Sequence, residues 1–122
     1  MTPLKSYREL TVWQKSMDLV KMIYTFTASY PKAEMYGLTS QIRRASVSVT
    51  ANIAEGQARN TPGEFHQLLG YSRGSLAEVE TLILLSRHLD YLTNENSENL
   101  LTTCAEINKM LHGLSKSLSK PC

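Results

Sequence analysis

Residues 37–59 read GLTSQIRRASVSVTANIAEGQAR, and the spacing within this stretch decides the fold. At 100° per residue it sorts into three faces. Leu38, Ile42, Ala45, Val49, Ile53 and Gly56 form the core stripe of an amphipathic helix. Val47, Ala51, Ala54 and Ala58 fall on nearly the opposite side and are small or apolar throughout. Between the two runs a polar ladder of Gln41, Ser48, Asn52, Glu55 and Arg59. A surface helix needs one apolar stripe. Two imply burial on both sides, once within the subunit and once against another surface.

Working outward, three more helices are expected. Before the stretch, Trp13, Met17, Val20, Tyr24 and Thr27 form a stripe that Leu19, Ile23 and Phe26 widen, over about residues 11–29. Pro31 pushes the residue before it out of helical geometry, and Gly37 is available for a positive φ ahead of the second helix, residues 38–59. After it, Thr61-Pro62-Gly63-Glu64 is a start signal, with Thr61 as cap, Pro62 at the first helical position and Glu64 completing a capping box. This third helix, about 62–90, carries its core stripe on Phe65, Leu68, Leu69, Ser72, Leu76, Val79, Leu82, Ile83 and Leu89. Gly70, Gly74 and Ala77 make a small-residue line beside that stripe. Two glycines inside a helix cost roughly 1 kcal/mol each, so a closely approaching helix is expected there. A last helix, about 94–119, starts from Thr93 or Asn96. It places Leu100, Cys104, Ile107, Leu111, Leu114 and Leu118 at alternating spacings of four and three, the seam of a bundle. No strand alternation of useful length appears. The expected fold is all-α: a single four-helix-bundle domain over 1–122, antiparallel and up-down-up-down.

With 122 residues the chain can bury a core without disulfides. Its net charge of +2 does not announce a nucleic-acid binder. Charge is uneven, however: residues 1–61 hold eight Lys/Arg against four Asp/Glu, and residues 62–122 hold five against seven. Cys104 falls on an apolar face and Cys122 is the last residue, so two reduced thiols in a cytoplasmic protein are expected. The N-terminal residues lack the apolar run of a secretory signal, and no stretch reaches the roughly 18 apolar residues of a membrane span.

Catalytic and metal chemistry find little footing. A di-metal bundle needs Glu-x-x-His on two helices, and the chain has none. His66, His88 and His112 read as surface or boundary residues, and neither cysteine has a neighbouring histidine or cationic cluster to lower its pKa. Glycines are too isolated for a phosphate-cradling loop, and no cofactor is expected. Asn52 and Glu55 share a helix face. A buried Glu55 could serve as an acid or base, but a polar network of Asn52, Glu55 and Arg59 linking the second helix to a neighbour is the preferred reading. Arg43-Arg44 is the densest positive charge. It suits phosphate contact, with pairing to Glu78 or Glu80 as the plain alternative.

The run from Tyr36 through Arg43-Arg44 to Val49, then Ala51-Asn-Ile-Ala-Glu-Gly56, resembles the four-helix proteins encoded in bacterial 23S rRNA intervening sequences. That family also includes the accessory protein of diversity-generating retroelements. Leu10-x-Val-Trp13, Tyr30-Pro-x-x-Glu34 and Gly74-Ser-Leu-x-Glu78 add to the likeness, which covers nearly the whole chain. Members commonly place a proline just before the Ala-Asn-Ile-Ala-Glu-Gly run, where this chain has Thr50. The resemblance implies a ring-like homopentamer without catalytic activity. Its retroelement members bind nucleic acid and a reverse transcriptase through basic surfaces.

Together these readings lead to a cytoplasmic, non-enzymatic oligomeric scaffold associated with RNA or DNA. Val47, Ala51, Ala54 and Ala58 would form its subunit interface, and Arg43 and Arg44 its phosphate contacts. A protein-binding adaptor without a nucleic-acid role is the alternative. Clustering of Arg43, Arg44, Lys15 and Lys21 on one surface favours the first reading, and pairing of these cations with acids favours the second.

Overall fold

The computed structural model describes residues 6–119; Cys122, expected as a free thiol, lies outside them. Within this range the chain forms four α-helices and no strand: α1 (Thr11–Thr27), α2 (Leu38–Ala58), α3 (Pro62–His88) and α4 (Asn94–Ser119). Short 3₁₀ turns at Tyr7–Glu9 and Lys32–Glu34 precede α1 and α2. Each helix packs on the next, and α4 returns to α1, so the four close around one core.

The helix ends follow local chemistry. Thr61 Oγ1 accepts the Glu64 N–H at 3.1 Å, Pro62 takes the first helical position, and the Thr61 hydroxyl also contacts Glu64 Oε1. Thr93, not Asn96, caps α4, its hydroxyl accepting the Asn96 N–H at 3.0 Å. Asp90, at φ 61°, turns the chain out of α3, with Asp90 N–H on the Arg87 carbonyl and Tyr91 N–H on that of Ser86. That arrangement caps the last carbonyls, and Asp tolerates the left-handed region better than most residues. Gly37, expected to supply a positive φ, has φ −117°. Its helix start is capped instead by Glu34 Oε1, which accepts the Leu38 N–H at 3.3 Å.

The core stripe of α2 lies where its spacing puts it: Leu38, Ile42, Ala45, Val49, Ile53 and Gly56 are all buried. Helix α2 is continuous through Thr50. In α1 the buried face is turned by about one residue from the expected one. Val12, Ser16, Leu19, Ile23 and Thr27 are buried, whereas Met17 and Tyr24 are exposed. Thr27 is buried as expected, but Ser16, which reads as polar, lay outside the expected stripe. Buried, each donates to a carbonyl of its own helix, Ser16 Oγ to Trp13 and Thr27 Oγ1 to Ile23, both at 2.7 Å, which removes most of the burial cost.

Two expectations for α3 are overturned. Leu89, placed on the core stripe, is exposed because it lies past the last helical turn. Gly70 and Gly74 face solvent rather than a neighbouring helix, with no heavy atom within 4 Å of an added Cβ. The close approach occurs at Gly56 instead, where a Cβ would stand 2.8 Å from Phe65 Cδ1 and 3.2 Å from Leu68 Cβ. Glycine there lets α2 and α3 draw together as the chain turns between them.

Candidate nucleic-acid and subunit interface

The outer face of α2 carries the residues that spacing set apart from the core. Val47 is 41 % exposed, Ala51 and Ala58 are exposed, and Ala54 is half-buried. None belongs to the buried core. The second stripe therefore exists as a surface feature, apolar and composed of short side chains that a partner can approach closely.

Arg43 and Arg44 do not act as a pair. One residue of helix turns them about 100° apart, so they belong to different grooves. Arg43 leans toward α1, where its Nε donates to Thr27 Oγ1 at 2.9 Å and its guanidinium carbon lies 4.6 Å from the centre of the Tyr24 ring. Stacking on an aromatic face holds the side chain in one orientation. Arg44 is exposed on the other side, and no ion pair to it forms among the described residues. Glu78, weighed as its partner, instead accepts from Gln41 Nε2 at 3.3 Å.

The remaining cations divide likewise. Lys15 pairs with Glu106 of α4 at 2.6 Å, and that contact raises the lysine pKa. Lys21 is exposed, with no acid partner among the described residues. Of the four basic residues weighed as one phosphate-binding patch, Lys15 is thus paired with an acid, and Arg43 and Arg44 line different grooves.

The polar ladder splits in two. Asn52 Nδ2 donates to the Ser48 carbonyl at 2.8 Å and to Ser48 Oγ at 3.1 Å, and Ser48 Oγ meets Ser75 Oγ of α3 at 2.8 Å. Half-buried hydroxyls thereby tie α2 to α3. Nearer the turn, Glu55 pairs with Arg59, which also reaches Glu64 at 3.8 Å. Glu55 is exposed, so the low-dielectric burial that an acid-base role needs is missing from its environment.

Beside Arg44 the first half of α2 and the facing turn of α3 enclose a groove of about 460 Å³. Tyr36, Ser40, Arg44 and Ser48 line it from the α2 side, and Ser75 and Glu78 from α3. Sequence spacing had marked Ser48 and Gln41 as ladder residues, but nothing in it marked Tyr36, whose side chain is 97 % exposed.

Among the described residues no helix is long and apolar enough to cross a membrane. No curated protein sequence is detectably similar to the chain. A crystal structure of a protein of unknown function from the S23 ribosomal protein family of Bacteroides thetaiotaomicron is similar to it, with a TM-score of 0.78 and 25% sequence identity. The match covers 86% of this chain and 95% of that one. Residues 8–113 match the family model described as 23S rRNA-intervening sequence protein, and with that span the chain belongs to this family.

Proposed function

We propose that the protein is a non-enzymatic, cytoplasmic scaffold that assembles with copies of itself through α2 and associates with RNA. The observation that carries the reading is the exposed apolar face of Val47, Ala51 and Ala58, with Ala54 half-buried beside them. Continuous apolar surface of this kind marks an interaction site more often than idle surface. Five subunits around an axis, as the family resemblance implies, would bury it in a closed ring of heterologous contacts. A ring also multiplies a weak charge: a single unpaired Arg44 becomes five.

An up-down-up-down course of the helices belongs to the same reading. Its support is the order of cross-helix contacts. Gln41, Ser48 and Val49 of α2 meet Glu78, Ser75 and Ser72 of α3, in falling order. Lys15 and Met22 of α1 meet Glu106 and Thr103 of α4, again in falling order.

A protein adaptor is the second reading, favoured by the Lys15–Glu106 pair and by the engagement of Arg43 with α1. Light scattering at micromolar concentration, followed by fluorescence anisotropy with structured RNA at about 50 and 200 mM salt, separates the two. The scaffold reading expects a mass several times that of one chain and binding that weakens as salt rises. A monomer would overturn the assembly, and an assembly that ignores RNA at the lower salt would leave the adaptor.

A further inference from the structure

We infer that the groove between the first half of α2 and α3 holds one unpaired nucleotide of an RNA strand, its base stacked on Tyr36 and its phosphate on Arg44. This rests on the RNA-associated reading above and deepens it from phosphate contact to a single-stranded ligand.

Tyr36 is the starting point. Its side chain is 97 % exposed, so it contributes almost nothing to the core, yet its backbone is firmly held. The residues on either side are tied down: Met35 N–H to the Lys32 carbonyl at 3.1 Å and Gly37 N–H to the Glu34 carbonyl at 3.0 Å. Glu34 is itself anchored by Tyr91 and by the Leu38 N–H. An exposed ring on a held backbone offers a face on which a base can stack.

Arg44 lies on the second turn of α2 and lines the same groove as Tyr36. It lacks an acid partner among the described residues. Ser40 also lines the groove, and its hydroxyl can donate to or accept from a ribose or base edge, whereas Ser48 and Ser75 are bonded to each other. Glu78 repels phosphate from its own side of the groove and so confines it to the Arg44 side. At about 460 Å³ the groove is too large for a bare anion and suits a nucleotide. A base inside a duplex is already paired and stacked, so only an unpaired one can use the Tyr36 ring. The groove occupies the N-terminal half of α2 and adjoins the apolar stripe, which begins at Val47 and runs on to Ala58.

The test is fluorescence anisotropy of the assembled protein with one labelled RNA, as a single strand and annealed to its complement. Tyr36→Ala should weaken single-strand binding about tenfold and leave duplex binding unchanged, with Tyr36→Phe binding like the wild type. Glu78→Gln, which keeps an acceptor for Gln41 but removes the charge, should tighten single-strand binding. Circular dichroism melts confirm that each variant is folded. Unchanged single-strand binding by a folded Tyr36→Ala, with duplex binding intact, overturns the nucleotide site and spares the RNA reading. Absence of wild-type binding to either RNA form overturns both.

Discussion

The Tyr91 hydroxyl donates to Glu34 Oε2 at 2.9 Å, while Oε1 of the same carboxylate accepts the Leu38 N–H at 3.3 Å. One linker carboxylate thus caps the start of α2 and ties it to the connection between α3 and α4. The Tyr30 and Tyr91 rings, with centres 5.3 Å apart, brace the same corner. Glu34→Ala should lower stability by about 1–2 kcal/mol in urea unfolding, the usual cost of a lost helix cap, and Tyr91→Phe should lower it less. The hydrogen bond to Glu34 raises the Tyr91 pKa from its ordinary value of 10.0. A raised folded-state pKa contributes stability below the unfolded value and loses it as pH rises through the folded one. The gap in melting temperature between wild type and Tyr91→Phe should therefore be full at neutral pH and close above about pH 10.

The glycines provide a paired prediction. At Gly56 any side chain meets Phe65 and Leu68, so Gly56→Val should cost about 1–3 kcal/mol by overpacking. At Gly74 a methyl group meets nothing, so Gly74→Ala should raise stability by about 0.5–1 kcal/mol through helix propensity alone. Chemical denaturation of both variants reads the contrast. Equal effects at the two sites would contradict the helix contacts described above.

Cys104 is fully buried, and burial pushes its thiol pKa up to about 12. In a Cys122→Ser background the native protein should show no thiol reaction with a disulfide reagent at pH 8, and one thiol per chain after unfolding. The same shift makes the folded state lose stability as pH climbs from about 9 toward 12, since only the unfolded chain ionises freely there. Cys104→Ala should flatten that alkaline decline.

The proposed assembly face is tested by charge. Val47→Glu with Ala51→Glu places a carboxylate pair on the outer side of α2, away from the core. Helix content by circular dichroism should be retained while light scattering falls to the mass of one chain. In the intact assembly, five copies of Arg44 would give a log–log salt slope near −4.5 on duplex DNA and about −3.5 on single strands. Arg44→Gln should flatten the slope, and Arg43→Gln should act mainly on stability because Arg43 serves the α1–α2 contact.

What the sequence determined by itself was the set of four helices and the faces most uniform in composition. Leu38 to Gly56 on α2 and Leu100 to Leu111 on α4 are legible because their apolar residues recur without polar interruption, and Thr61-Pro62 because a cap is local chemistry. The Val47–Ala58 stripe was legible for the same reason. Only the tertiary structure decided features that depend on a neighbour. Ser16 is a core residue of α1, its hydroxyl bonding back to its own helix, which a polarity pattern does not register. Gly56, rather than Gly70 or Gly74, marks the close approach because it stands where α2 and α3 meet at the turn. Arg43 and Arg44 are adjacent in sequence yet face different helices, since one residue of rotation sends the first to the Tyr24 ring and the second into the groove with Tyr36. Periodicity assigns a residue to a side of its own helix. What stands on that side is a matter of packing, and packing sets the chemistry of this surface.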